Sequence, residues 1–249
     1  MSCVGEMGQE YGLSFNWSKL EALPVRTNAQ ILKPDGEPVK TKTSMMYLGA
    51  MLSNDGRVGS ELGRRIGNAE GDFRVLRKVW NRSTLSMKRR LHIFDACVVP
   101  KLLYGLHTTW LNVVERRRLD GFHARCLRRI LGIPAAYYSR VSNADVYTRA
   151  SAHRLSTHLL AKQLQYMGQV AAKEPGNTLR DCVFIPGAID LRNSVQVRGR
   201  GRPRSTWANS VYSNALEIAG SKAKLEELWS KGREREWRAT ARQDLYRAA

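Results

Sequence analysis

No two aspartates stand side by side anywhere in the 249 residues, and acids are scarce throughout, at 22 Asp and Glu against 41 Lys and Arg. A site that holds two magnesium ions for nucleotidyl transfer needs carboxylates packed close together, so self-sufficient chemistry of that kind is excluded. Cysteine is also sparse. Cys3, Cys97, Cys126 and Cys182 are scattered without a Cys-x-x-Cys pair, which excludes a disulfide framework and a local zinc site and suits reduced thiols inside a cell. Long apolar runs are missing. The longest, Phe94 to Leu106, is broken by Asp95 and Lys101 and falls short of a membrane span. The opening Met1-Ser2-Cys3-Val4-Gly5-Glu6 has neither the basic head nor the apolar core of a secretory leader. The expectation is an intracellular protein of the nucleus or cytoplasm, without a membrane partner.

Charge of one sign is what the chain has in quantity. The formal net charge is +19, carried mostly by arginine, while the hydrophobic content of 43% is that of a globular protein. Such an excess points to a polyanion, nucleic acid first and an anionic membrane surface a distant second. Arginine suits bidentate phosphate contacts. Between residues 54 and 140 there are 18 Lys and Arg against 7 Asp and Glu, so more than half of the excess lies in that third of the chain.

The first ten residues read as the end of a helix, with Val4, Met7 and Tyr11 at helical spacing and Gly12 as the stop. Leu13, Phe15 and Trp17 then alternate with Ser14, Asn16 and Ser18, which predicts a strand closed by Lys19. Pro34-Asp35-Gly36 between Ile31-Leu32-Lys33 and Glu37-Pro38-Val39 predicts a hairpin. Met45 to Leu52 is apolar without alternation and predicts a strand covered on both faces, in which Gly49 marks a bulge or close backbone approach. Asn54-Asp55-Gly56 is a turn.

After Gly59 the period changes. Leu62, Ile66, Ala69, Phe73, Leu76 and Trp80 form a helical stripe, with Arg64, Arg65, Arg74, Arg77 and Lys78 assigned to the other face. Ser83 or Ser86 caps the next helix, whose inward residues are Leu91, Phe94, Cys97 and Val98. Lys88, Arg89 and Arg90 crowd its first turn, where cations oppose the helix dipole; they read either as a phosphate site or as a solvated basic turn. Pro100 must kink or split this helix. A third helix, Val113 to Leu131, buries Leu119, Phe122, Cys126 and Ile130 beneath Arg116, Arg117, Arg118, Arg125, Arg128 and Arg129, and ends at Gly132 and Pro134. His123 reads as structural, since no acid falls in register with it. Ser142-Asn143 caps a short helix through Val146 and Ala150, and Leu155, Leu159, Leu160, Leu164 and Met167 form the stripe of another. Phe184-Ile185-Pro186-Gly187 is a loop.

Arg198-Gly199-Arg200-Gly201-Arg202-Pro203-Arg204 cannot hold a helix or strand. Its arginines read as nucleic-acid contacts that order on binding, or else as a linker or a localisation signal. Trp207, Trp229 and Trp237 follow. They could stack on bases, but at helical spacing they read as core, Trp229 with Leu225 and Leu228, Trp237 with Ala241 and Leu245.

Gly12-Leu13-x-x-Asn16-x-x-Lys19 followed by Tyr47-Leu48-Gly49 resembles the trailing half of a reverse transcriptase palm from the non-long-terminal-repeat (LINE-type) retrotransposons. Pro100-Lys101-Leu102-Leu103-Tyr104-Gly105 and the stretch from Leu119 to Ile133 are similar to the thumb region of those enzymes, and Arg200-Gly201-Arg202-Pro203 with Trp207 to their C-terminal region. The resemblance implies that Lys19 sits near the triphosphate leaving group, where a cation stabilises departing pyrophosphate, and that Tyr47, Leu48 and Gly49 grip the primer. A lysine that merely ends a strand in solvent is the plain alternative. In the family a Tyr-x-Asp-Asp hairpin precedes the glycine-leucine strand. Here no aspartate stands before Gly12, so magnesium is expected only with carboxylates this chain does not carry.

The resulting expectation is a mainly helical protein, a thumb-like bundle with a small N-terminal antiparallel β remnant of a palm. Its divisions are a palm remnant and primer grip (1–56), a basic thumb (57–140), a helical extension (141–175), an Arg/Gly-containing loop (176–206) and a helical end (207–249). The partner is RNA, DNA or their hybrid. Contacts are expected from Tyr47, Leu48, Gly49, Arg64, Arg65, Lys88, Arg89, Arg90, Arg198, Arg200, Arg202 and Arg204, with no metal and no cofactor. The alternatives are an inert relic of a decayed element and the end of a longer active reverse transcriptase.

Overall fold

The computed structural model describes residues 2–25, 27–192 and 206–247. They are mainly helical, with two small sheets, and fall into two compact units, 1–61 and 62–249.

In the first unit α1 (Ser2–Glu10) ends where Gly12 takes φ +70° and the Leu13 N–H turns back to the Gly8 carbonyl at 2.9 Å, a left-handed helix terminator. Its apolar residues Val4 and Met7, and Tyr11 just beyond its end, are exposed rather than packed. The strand expected over 13–19 does not form. Asn16 overrides the alternation: its side-chain oxygen accepts from the Ser18 hydroxyl at 2.6 Å and its carbonyl from the Lys19 N–H at 3.0 Å, so 17–19 is a turn. Two short segments beyond it, β1 (Glu21–Ala22) and β2 (Lys40–Thr41), pair in parallel, so this one of the two small sheets departs from the antiparallel expectation. The Pro34-Asp35-Gly36 hairpin is present. Lys33 N–H donates to the Glu37 carbonyl and Val39 N–H to that of Ile31, each at 2.8 Å, with Gly36 at φ +85°.

The Met45–Leu52 run is not one doubly covered strand. It folds on itself as an antiparallel hairpin of β3 (Ser44–Tyr47) and β4 (Ala50–Ser53), Tyr47 opposite Ala50. Leu48 and Gly49 form its two-residue turn with φ +46° and +78°, the double positive φ that matches strand twist. Glycine takes this conformation freely, whereas a leucine there is strained by roughly 1–2 kcal/mol. The periodicity misled because an apolar run without alternation fits a tight hairpin as well as a covered strand.

The second unit begins inside α2 (Gly59–Val75), which buries Leu62, Ile66, Ala69 and Phe73. A single turn, α3 (Arg77–Trp80), returns Trp80 onto it: the indole stacks on Phe73 at 5.0 Å and donates to the Phe73 carbonyl at 2.8 Å. Ser86 caps α4 (Met87–Cys97) by accepting from the Arg89 N–H. Pro100 splits off α5 (Val99–Leu103) as its geometry requires, and Cys97, at the break, is exposed rather than inward. A 3₁₀ turn over Leu106–Thr108 leads to α6 (Val113–Leu131), opened by an Asn112–Glu115 capping box and closed by Gly132 at φ +69°.

One turn, α7 (Ala136–Ser139), connects to α8 (Asn143–Ala150), which has a Ser142–Asp145 capping box. The long α9 (Leu155–Ala171) has no cap of its own; Asp120 of α6 serves instead, accepting from the Ser156 N–H at 2.9 Å and hydroxyl at 2.7 Å. After α10 (Thr178–Asp181), Phe184 and Leu191 bridge a loop that keeps Phe184 buried. The chain closes with α11 (Trp207–Ala219), α12 (Lys222–Leu228) and α13 (Glu234–Arg247). Their core gathers Leu164, Met167, Val211, Leu225, Trp229 and Trp237, so the last two tryptophans are core, as the spacing predicts. Among the described residues no helix is long and apolar enough to cross a membrane.

Candidate nucleic-acid interface

The positive charge is unevenly available, because several cations are engaged by the fold. Arg65, assigned to the outer face of α2, is only 8% exposed. Its guanidinium lies 4.8 Å from the Tyr104 ring centre and its Nη1 donates to the Lys101 carbonyl at 3.4 Å. Arg65 stands three residues after Leu62 at the margin of the apolar stripe, a signal the spacing already carried. Arg90 likewise turns inward, donating from Nε to the Leu85 carbonyl at 3.1 Å and from Nη1 to that of Trp80 at 3.0 Å. The cation that crowds the start of α4 thus satisfies the carbonyls left open after α3. Arg116 stacks over Trp110 at 4.6 Å and donates to the Leu111 carbonyl. Arg128 and Arg180 are buried among carbonyls.

A second set remains exposed: Arg74, Arg77, Lys78, Arg82, Lys88 and Arg89 along α2 to α4, and Arg117, Arg118, Arg125 and Arg129 on α6. Among the described residues none of these forms an ion pair. They stand on one packed body. Phe73 of α2 meets Phe94 of α4 edge-on at 5.9 Å, Phe94 stacks on His123 of α6 at 5.7 Å, and the guanidinium of Arg118 covers Gly63 of α2. Exposed guanidinium and ammonium groups on rigid helices can neutralise phosphates without reading bases. Arg64 is half-buried on α2.

In the first unit, Tyr47, Leu48 and Gly49 occupy the hairpin tip, with Tyr47 60% and Leu48 79% exposed. Lys19 is exposed on the 17–19 turn rather than at the end of a strand. Among the described residues no group of three His, Cys, Asp or Glu is placed to hold a metal ion, so the donors present do not fit a two-magnesium site and no reaction step is assigned to one. Arg198, Arg200, Arg202 and Arg204 lie outside the described residues.

His123 and Cys126 are no catalytic pair. Burial pushes the His123 imidazole down to about 3 and the Cys126 thiol up to about 12, so near neutrality one stays neutral and the other stays protonated. His123 is packed between Phe94 and Tyr147, and neither ring nitrogen has a protein partner. Two features escaped the spacing arguments: the trans-cap from Asp120, and the exposed Tyr137–Tyr138 pair on α7, which no period marks. Comparison with protein-family models, curated proteins and solved structures finds no match.

Proposed function

We propose that this chain is the primer-grip, thumb and C-terminal part of a LINE-type reverse transcriptase, and that its own activity is sequence-indifferent binding of RNA, DNA or their hybrid. The observation that carries the reading is the set of ten exposed, unpaired cations on α2 to α4 and α6. A thumb must hold duplex by its backbone, and helices with a cationic surface meet that need. The hairpin tip adds support: Tyr47 and Leu48 are exposed there, and Leu48 is held at φ +46°. Strand synthesis by this chain alone is not part of the proposal, since among the described residues no group of three His, Cys, Asp or Glu is placed to hold a metal ion.

The test is a salt titration of binding to a labelled RNA–DNA hybrid by fluorescence anisotropy. The affinity should fall steeply, by about 0.9 log units per log unit of salt for each duplex phosphate neutralised. Replacing Arg117, Arg118, Arg125 and Arg129 with glutamine should flatten that slope, as should replacing Arg198, Arg200, Arg202 and Arg204 with alanine. An affinity indifferent to salt refutes the reading. A slope left unchanged by the second set alone returns the Arg/Gly segment to linker status.

A further inference from the structure

The eleven residues between α6 and α8 are fixed with unusual thoroughness for a surface connection. Arg128, 6% exposed, reaches out of α6 beneath them. Its Nη1 donates to the Pro134 carbonyl at 3.2 Å and its Nη2 to the Val141 carbonyl at 2.6 Å and to Asn143 Oδ1 at 3.0 Å. Ser139 completes the fastening, its hydroxyl sharing its one proton between the carbonyls of Pro134 and Ala135, each at 3.2 Å, and accepting from the Val141 N–H. Among the described residues Arg128 has no carboxylate partner. Burying a cation against carbonyls alone costs several kcal/mol in desolvation, which only full hydrogen bonding offsets.

What this anchorage presents to water is two large aromatic side chains. Tyr137 is 73% and Tyr138 77% exposed, their ring centres 4.7 Å apart at 74°. Neither phenol has a hydrogen-bond partner among the described residues, so the pair does little for the fold. On either side in sequence stand the exposed Arg129, in the last turn of α6, and Arg140, held at φ +54°.

We infer that Tyr137 and Tyr138 are a stacking platform for unpaired bases of single-stranded nucleic acid, with Arg129 and Arg140 on the adjoining phosphates. Every base has a π-face, and exposed aromatics interleaved with cations are the arrangement that holds a single strand without reading its sequence. A duplex hides those faces within its own stack, so the platform takes a strand where it is unpaired. This deepens the proposed function and rests on it.

The experiment measures binding of wild type, Tyr137→Ala/Tyr138→Ala and Tyr137→Phe/Tyr138→Phe to labelled single-stranded RNA, single-stranded DNA and a hybrid duplex of equal length. Vesicles of anionic phospholipid form a further arm. Both positions are exposed, so the variants should melt like wild type. The alanine variant should lose about 5- to 100-fold in single-strand affinity, keep its duplex affinity and keep its salt slope, because tyrosine releases no counterions. The phenylalanine variant should bind like wild type, and the RNA and DNA arms report which strand is held. Equal losses on single strand and duplex overturn the platform, as does a loss confined to vesicles. No loss in a protein that still binds the hybrid in a salt-dependent way overturns the platform alone; absence of any nucleic-acid binding by wild type overturns both proposals.

Discussion

His123 shows how one side chain can be read correctly for its role and still hold a surprise. A lone helical histidine without an acid in register is structural, and it lies 2% exposed against Phe94 and Tyr147. Its two ring nitrogens lack protein partners, so the ring is held by packing alone and charging it is opposed. The sign follows. The folded-state value of about 3 lies below the ordinary 6.5, so between those values the unfolded chain binds the extra proton. The stabilisation is complete above 6.5 and is lost as the pH falls toward 3. The unfolding free energy from denaturant titration should therefore drop between pH 7 and pH 4.5, by about 1.4 kcal/mol per pH unit from this group once well below 6.5. His123→Phe should be at least as stable as wild type at pH 7 and should flatten that fall. The slope should not vanish, because burial also lowers His107 and His158. An unchanged pH profile in His123→Phe would place the proton uptake elsewhere.

At the scale of elements, local signals and packing divide the work. The ends of α6 were written in Asn112, Glu115 and Gly132, and the break before α5 in Pro100, because caps and proline act within one turn. The pairing of α9 with α13 could not be read that way. It turns on Gly168, where an added Cβ would fall 2.5 Å from Trp237 Cδ1 and 2.7 Å from its Nε1, the atom that donates to the Leu164 carbonyl at 2.8 Å. Two effects compete in Gly168→Ala. Helix propensity gains about 1 kcal/mol, but overpacking costs about 1–3 kcal/mol and the buried indole stands to lose its acceptor, a further 1–3 kcal/mol or so. The steric terms should win, with a net destabilisation of about 1–5 kcal/mol in chemical denaturation. A more stable variant would mean that Trp237 can swing aside freely. The hairpin at Leu48-Gly49 is the converse case, where a run of apolar residues concealed a turn that only strand pairing reveals.

For the molecule as a whole, the two units differ in how much each encloses. Among the described residues up to 61, Val39 is the one fully buried apolar side chain, while Leu13, Leu32, Met46, Tyr47 and Leu48 are exposed; the second unit encloses Leu62, Phe94, Leu119, Phe122 and Trp237 among many others. Little apolar burial means little resistance to opening. Limited proteolysis should therefore cut first within the first unit and leave a helical fragment beginning near α2, identifiable by mass spectrometry. Early cleavage within α6 or α9 instead would contradict this division of stability.

The sequence by itself determined where the long helices run, where α4, α6 and α8 are capped, where proline splits off α5, which tryptophans are core and how much positive charge the protein carries. Those properties depend on spacing and on contacts within a turn or two. Only the tertiary structure decided what each arginine does. Arg65, Arg90 and Arg128 meet backbone carbonyls brought to them by other parts of the chain, while Arg117, Arg125 and Arg129, on the same helix as Arg128, are exposed. A guanidinium has five donors and a long stem, so its destination is fixed by which carbonyls the fold leaves open within its reach, and the helical period does not contain that information.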